Sequence, residues 1–160
     1  MGDPTSLTPI LPASLDFHQV VFGSEAYKQT CALRNEVLRK PLGLDLFSED
    51  LSQEKDQLHF GMFDREAKLI ACVIAVPQAA DAAKIRQMAV RAGFTGQGVG
   101  RMLMRSLEET LATRGVVKLS LHARVTAAGF YEKLGYVRTG EPFVEVGIPH
   151  IRMEKSADIE

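Results

Sequence analysis

AVRAGFTGQGVGRMLMRSLEE, residues 89–109, contains three glycines at alternate positions just before a helix-like stretch: Gly96, Gly98 and Gly100. Each glycine costs backbone entropy on folding, so three together indicate that something must approach the backbone closely. From Val99 to Leu111 an apolar side chain recurs at every fourth position, which predicts an amphipathic helix. The amides and the dipole at the start of that helix predict a site for an anion such as phosphate.

Two familiar phosphate-binding loops do not match this spacing. A Walker A loop needs Lys and then Ser or Thr after its last glycine, but Gly100 is followed by Arg101 and Met102. A dinucleotide fingerprint needs G-x-G-x-x-G after an early strand, whereas the glycines here follow G-x-G-x-G before the second long helix. The loop is therefore expected to belong to another class of phosphate site.

Composition limits the class of protein. The chain has 160 residues, 46% hydrophobic and 24% charged, which is ordinary for one soluble globular domain. The net charge of -1 and the scattered Lys and Arg residues argue against nucleic acid and against an anionic membrane surface as partners. Cys31 and Cys72 lie in apolar sequence and are expected to be buried core thiols.

The N-terminal residues do not resemble a signal peptide, and no apolar run is long enough to span a membrane. We therefore expect a cytoplasmic protein with a flexible arm over residues 1–14 and one α/β domain over residues 15–157. The pattern predicts the element order β-α-β-β-β-α-β-α-β-β. Its parts are strand 15–21, a helix from Ser24 to Gly43, a polar stretch 48–57, a hairpin of 58–64 and 68–76, loop 77–83, strand 84–90, the helix ending near Arg114, strand 116–123, helix 126–134 and strands near 136–140 and 151–155.

Two segments together resemble the GNAT superfamily of N-acetyltransferases. TGQGVG at 95–100 looks like the family's acetyl-CoA loop, and the stretch AGFYEKLGY within 127–136 resembles its second signature. The resemblance covers roughly residues 15–155 and implies a mixed, mostly antiparallel sheet flanked by helices. GIPHIRM at 147–153 resembles the end of a bacterial subgroup with poorly defined substrates.

The resemblance implies acetyl-CoA as co-substrate, no metal, and a set of coenzyme-binding residues. That set is Met88, Ala89 and Val90 on the strand, Thr95, Gly96, Gln97, Gly98, Val99, Gly100 and Arg101 at the loop, and Phe130 and Lys133 on the short helix. Two positions depart from the family pattern. Thr95 stands where Arg or Gln is usual, so one phosphate contact is expected to be weaker. Arg124 stands where many relatives carry Asn, so the family's pantetheine contact at that position is not carried over to this chain.

By the same resemblance Tyr131 is the general acid that protonates the leaving thiolate, with simple packing as the alternative. Neither signature contains a cysteine, so the amine is expected to attack directly in a ternary complex. His150, placed in the loop before the last strand, is the first candidate for the general base. The other candidates are Glu36, Glu54, Asp56, His59, His122 and Glu145, and a water relay would replace them all.

The predicted reaction moves an acetyl group from acetyl-CoA to a primary amine on a small molecule or a protein. Arg34 is expected to bind an acceptor carboxylate or to form a surface ion pair, and the acidic stretch 48–57 slightly favours a cationic acceptor. The alternatives are a non-catalytic acyl-CoA-binding module and a longer acyl donor. Exposed edge strands near the C-terminus are compatible with a homodimer.

Overall fold

Seven strands and three α-helices make up residues 14–156, the part of the chain that the computed structural model describes. The strands are β1 Asp16–Val20, β2 Leu58–Phe63, β3 Leu69–Ala79, β4 Ala82–Val90, β5 Lys118–Arg124, β6 Val137–Glu145 and β7 Ile148–Ser156, and the helices are α1 Glu25–Arg34, α2 Val99–Thr113 and α3 Ala128–Lys133. This confirms the predicted element order. The predicted arm lies almost wholly outside the described residues, as does position 157.

The seven strands form one sheet in the order β1-β2-β3-β4-β5-β7-β6. β4 and β5 run parallel, whereas β1 with β2, β5 with β7 and β6 with β7 run antiparallel. This confirms the mixed, mostly antiparallel sheet flanked by helices. No helix within residues 14–156 has both the length and the apolar content to cross a bilayer.

The chain divides into two compact units. Unit 1 holds the described residues up to Ile74 together with Gln87–Leu107, and unit 2 holds Ala75–Arg86 together with the residues from Glu108 onward.

In unit 1, α1 begins as the sequence predicts. The Ser24 hydroxyl accepts a hydrogen bond of 3.1 Å from the amide of Tyr27 and so caps the helix. A π-helical turn and a 3₁₀ turn continue it to Gly43, whose φ of +74° ends the helix in the left-handed conformation. Cys31 and Cys72 are both buried, as expected.

The leucine repeat of α2 is confirmed. Its apolar stripe is almost completely removed from solvent: Val99, Leu103, Leu107 and Leu111. Gly115 ends the helix with a φ of +81°, and the amide of Val116 returns to the carbonyl of Leu111.

In unit 2, β5 alternates between buried and half-buried side chains, with Leu119, Leu121 and Ala123 turned inward. A 3₁₀ turn leads into α3, which stops at Gly135 with a φ of +99°. β6 forms the sheet edge and exposes Val137 and Val144. The homodimer stays a prediction.

Two boundaries differ from the prediction. Residues 77–83 are not a loop, because β3 extends to Ala79 and β4 starts at Ala82, so that only two residues form the turn. The last strands are also longer than expected. His150 consequently lies within β7 rather than in the loop before it. Cross-strand pairing overrides the local preference of Pro and Ala here.

Candidate functional site

The glycine loop has the backbone geometry of an anion site. Gly93, Gly96 and Gly98 all adopt positive φ, at 95°, 77° and 81°. The first helical hydrogen bond of α2 runs from the amide of Met102 to the carbonyl of Gly98, at 3.0 Å. The three preceding amides therefore lie in the first turn, where a helix offers them no acceptor.

The loop leaves space around Gly96 and is held by one of its own side chains. A Cβ placed on Gly96 would meet no atom within 4 Å, so this glycine is required by its backbone angle and not by crowding. Gln97 donates from Nε2 to the carbonyl of Gly93 at 2.8 Å, which ties the loop to itself. Thr95 and Arg101 are exposed.

β4 contains a backbone irregularity just before the residues predicted to bind the coenzyme. Its ladder with β5 ends at the pair Ile85–Leu121, and Gln87 follows with a φ of +59°, which is rare for a residue other than glycine. Beyond it Met88 and Val90 are half-buried and Ala89 is buried.

Tyr131 lies in α3 among other aromatic rings. Its ring centroid is 5.0 Å from that of Phe130 and 5.9 Å from that of Tyr136, both in edge-on geometry. Burial raises the pKa of the Tyr131 phenol to about 12. Phe130 is half-buried, and Lys133 on the same helix is exposed.

The neighbouring Tyr136 has a structural role. Its hydroxyl donates to Glu108 Oε2 at 2.7 Å, and Lys155 Nζ donates to Glu108 Oε1 at 2.8 Å and to the carbonyl of Leu134 at 2.6 Å. These contacts join the end of α3 to α2 and β7 within unit 2.

The sequence did not reveal a buried ion pair in unit 1. Arg34 is 1% exposed, and its guanidinium donates to Glu54 from Nη1 at 2.9 Å and from Nη2 at 2.6 Å. The Tyr27 hydroxyl donates to the same carboxylate at 2.7 Å, and Arg34 Nε donates to Gln87 Oε1 at 3.2 Å. Both predicted uses of Arg34 are therefore wrong, because its side chain is neither exposed nor open to an acceptor.

The same hydrogen-bond network contains two of the candidates for the general base, Glu54 and His59. Burial alone would raise the pKa of Glu54, but the hydrogen bonds from Arg34 and Tyr27 and the charge of Arg34 hold it below its ordinary value. His59 is buried, which lowers its pKa, and its Nε2–H donates to the carbonyl of Glu54 at 2.8 Å. Neither side chain is placed to take a proton from an incoming amine.

The remaining candidates divide by exposure. Glu36 is exposed and pairs with Lys40, and Asp56 is exposed. His150, the first candidate, is 6% exposed and donates from Nδ1 to the carbonyl of Ile148 at 2.7 Å. It is thus a largely buried strand residue.

His122 and Glu145 are brought together in unit 2, which their separation in the sequence did not indicate. His122 Nδ1 lies 2.9 Å from Glu145 Oε1. Burial alone would raise the pKa of Glu145, but the hydrogen bond and charge of His122, with His150 and Lys84 nearby, lower it. The described residues 14–156 contain no group of three or more His, Cys, Asp or Glu side chains that would hold a metal ion.

Comparison with known families identifies the class of protein as an acyltransferase. The model of the acetyltransferase (GNAT) domain matches residues 25–157, so the chain belongs to the GNAT acetyltransferase family. The N-acetyltransferase YitI of Bacillus subtilis, itself uncharacterized, is 31% identical over 136 residues, which cover 81% of this chain and 91% of the relative. The chain spans about half the length of two other relatives from that organism, at 37% and 36% identity.

Solved structures agree with the fold. One from Lactobacillus plantarum, assigned as an N-acetyltransferase, superposes with a TM-score of 0.80 at 26% identity and covers 89% of this chain and 98% of its own. A GNAT family acetyltransferase from Elizabethkingia anophelis, solved with acetyl-CoA bound, superposes at 0.67 with 18% identity and covers 89% of this chain and 98% of its own. The second likeness shows the fold alone.

Proposed function

We propose that this protein transfers an acetyl group from acetyl-CoA to a primary amine. The observation that carries the proposal is the glycine loop of this GNAT family member, whose left-handed glycines lead directly into the amides at the start of α2. Such a loop fits a pyrophosphate, because several N–H groups converge on one anion and no side chain blocks the approach.

The coenzyme-binding residues stay those that the sequence predicts. The loop amides and the exposed Arg101 would hold the pyrophosphate, and the main chain of Met88 to Val90 would bind the pantetheine arm. Thr95 can contribute only its amide or its hydroxyl, so its contact with a phosphate would be weaker than that of an arginine. Arg124 occupies the end of β5 in place of an asparagine.

Tyr131 is proposed as the general acid. Since burial raises its pKa to about 12, the phenol carries its proton at neutral pH and can give it to a leaving thiolate. A direct attack by the amine is supported by the two cysteines. Both are buried, and burial raises the pKa of Cys72 to about 12, so neither offers an accessible thiolate for an acetyl-enzyme intermediate.

The test is thiol release from acetyl-CoA with a thiol reagent, across amines that include amino acids, aminosugars, polyamines and a peptide N-terminus. We expect at least one amine to drive turnover, and Tyr131→Phe to lower kcat by about 10²-fold or more, as for loss of a general acid. Coenzyme A binding, measured by calorimetry, should be unchanged in the variant.

Tyr136→Phe is the matched control. It removes the same hydroxyl group from a neighbouring ring, but one that donates to Glu108, so it should lower stability and leave kcat near that of the wild type. If coenzyme A binds and no amine drives thiol release, the protein is an acyl-CoA-binding module. If release occurs only from longer thioesters, the acyl donor has been assigned wrongly.

A further inference from the structure

One face of unit 2 carries a histidine and a carboxylate that the proposed function has not used. His122 lies in β5 and Glu145 in β6, and both strands pair with β7. In the β5–β7 ladder His122 stands opposite Arg152, and Glu145 reaches His122 across β7. The pair is therefore created by the strand order β5-β7-β6 and not by closeness in sequence.

The hydrogen bond between the two side chains fixes which ring nitrogen carries a proton. An ionised carboxylate can only accept, so the proton in the 2.9 Å contact belongs to Nδ1 of His122. In the neutral imidazole Nε2 then presents a lone pair. A carboxylate in this position also stabilises the imidazolium that forms once Nε2 has taken a proton.

The side chains of His122 and Glu145 are partly exposed to solvent, and the imidazole ring of His122 is held in one orientation. The side chain of His122 is 24% exposed and that of Glu145 is 47% exposed. The ring of Phe143 meets the His122 ring edge-on, with centroids 4.9 Å apart, which restricts the plane of the imidazole. His150 differs because it is largely buried and because its Nδ1–H is held by the main-chain carbonyl of Ile148 rather than by a carboxylate.

We propose that His122, oriented by Glu145, is the general base that takes the proton from the acceptor ammonium. The proposal rests on the proposed function. Nε2 of His122 removes one proton from the ammonium, and the freed nitrogen lone pair forms the bond to the thioester carbonyl carbon. The C–S bond then breaks, and the sulfur takes the Tyr131 proton. The attacking nitrogen then loses a second proton to the Tyr131 phenolate, which restores the phenol. His122 releases to water the proton that it took from the ammonium.

Other charged groups face the pair and bear on any pH experiment. They are Lys84 from β4, Arg124 on β5 itself, and His150 and Arg152 from β7, the last of which pairs with Glu154. Only histidine side chains ordinarily titrate between pH 5 and 8, so His150→Gln has to be compared directly with His122→Gln.

The experiment measures kcat, KM and the pH dependence of kcat/KM with the best amine of the panel. His122→Gln should lower kcat by about 10²–10⁴-fold and abolish the acidic limb, while leaving KM for acetyl-CoA unchanged. Glu145→Gln keeps an acceptor for Nδ1–H but removes the charge that stabilises the imidazolium, so kcat should fall by a smaller factor than in His122→Gln, with KM for acetyl-CoA unchanged. The matched controls His18→Gln on β1 and Glu66→Gln between β2 and β3 make the same chemical changes at exposed positions away from the pair and should leave the profile unchanged.

A second readout does not depend on turnover. The ¹⁵N NMR spectrum should show His122 as the Nδ1–H tautomer near pH 8 in the wild type, as its contact with Glu145 requires. An Nε2–H tautomer, or an acidic limb that survives in His122→Gln or disappears only in His150→Gln, would overturn the assignment. If the wild type turns over no amine at all, the proposed function fails, and this assignment fails with it. If the wild type is active and His122→Gln has the same kcat and pH profile, only the assignment of His122 is wrong.

Discussion

Replacing Arg34 should show how strongly the stability of the protein depends on the buried ion pair of unit 1. Arg34→Met keeps much of the side-chain volume but leaves the Glu54 carboxylate, whose side chain is 12% exposed, without its two guanidinium hydrogen bonds. Breaking a buried pair by removing one partner costs about 3–5 kcal/mol, because the remaining charge is desolvated and uncompensated. For a chain of this size each kcal/mol corresponds to about 2–4 °C, so the Tm should fall by roughly 6–20 °C.

The assay is urea unfolding at pH 7, followed by circular dichroism, with thermal scans alongside. The double variant Arg34→Met, Glu54→Leu should recover most of the lost free energy of unfolding, since no charge is then left buried. Lys28→Met is the matched control, because it breaks the exposed pair with Glu25 and should change stability by less than about 1 kcal/mol. The reasoning is refuted if Arg34→Met lies within about 1 kcal/mol of the wild type, or if the double variant is less stable than the single one.

The Arg34–Glu54 pair also makes the free energy of unfolding depend on pH. The folded protein holds the pKa of Glu54 below its ordinary value, so the unfolded chain takes up this proton at the higher pH. The stabilising contribution is therefore fully present above the unfolded value of about 4.3 and is lost as the pH falls through the lower folded value. The stability difference between the wild type and the double variant should follow that acid window.

Two further predictions concern the core and the thiols. Leu107→Ala removes a fully buried side chain of α2 and should lower the free energy of unfolding in urea by about 2–5 kcal/mol. Arg105→Ala on the exposed side of the helix should lower it by less than about 0.5 kcal/mol, and equal losses would contradict the burial. Cys31 and Cys72 should react with a thiol reagent only after urea is added, because both are buried and the pKa of Cys72 is raised to about 12; rapid labelling of the native protein would contradict this and would add a background to the thiol-release assay.

The local features of the fold could be predicted because each is encoded within a few neighbouring residues. Ser24 caps α1 through its own hydroxyl, and Gly43 and Gly135 end helices because a left-handed angle suits glycine. The leucine repeat of α2 likewise needs only the helical period to show its buried side. In the candidate site, Gly96 and Gly98 adopt left-handed angles that suit glycine, whereas the binding of an anion at their loop stays a prediction.

The misjudged features depend on partners distant in the chain. Nothing near Arg34 shows that Glu54, 20 residues later, will meet it in the interior, so its charge favoured a surface position. The pairing of His122 with Glu145 likewise requires knowing that β7 lies between their two strands. The sequence does place apolar residues around Arg34 and a tyrosine two turns before it, which are compatible with burial. Neither feature identifies Glu54 as the partner of the guanidinium.

The position of β7 has a consequence for synthesis of the chain. β7 follows β5 and β6 in the sequence, yet it lies between them in the sheet, and β5 and β6 do not pair with each other. Until Ile148–Ser156 have emerged from the ribosome, both strands present unpaired edges, which are prone to associate with other chains. β5 and β6 are therefore open to such association for as long as β7 is not yet in place between them.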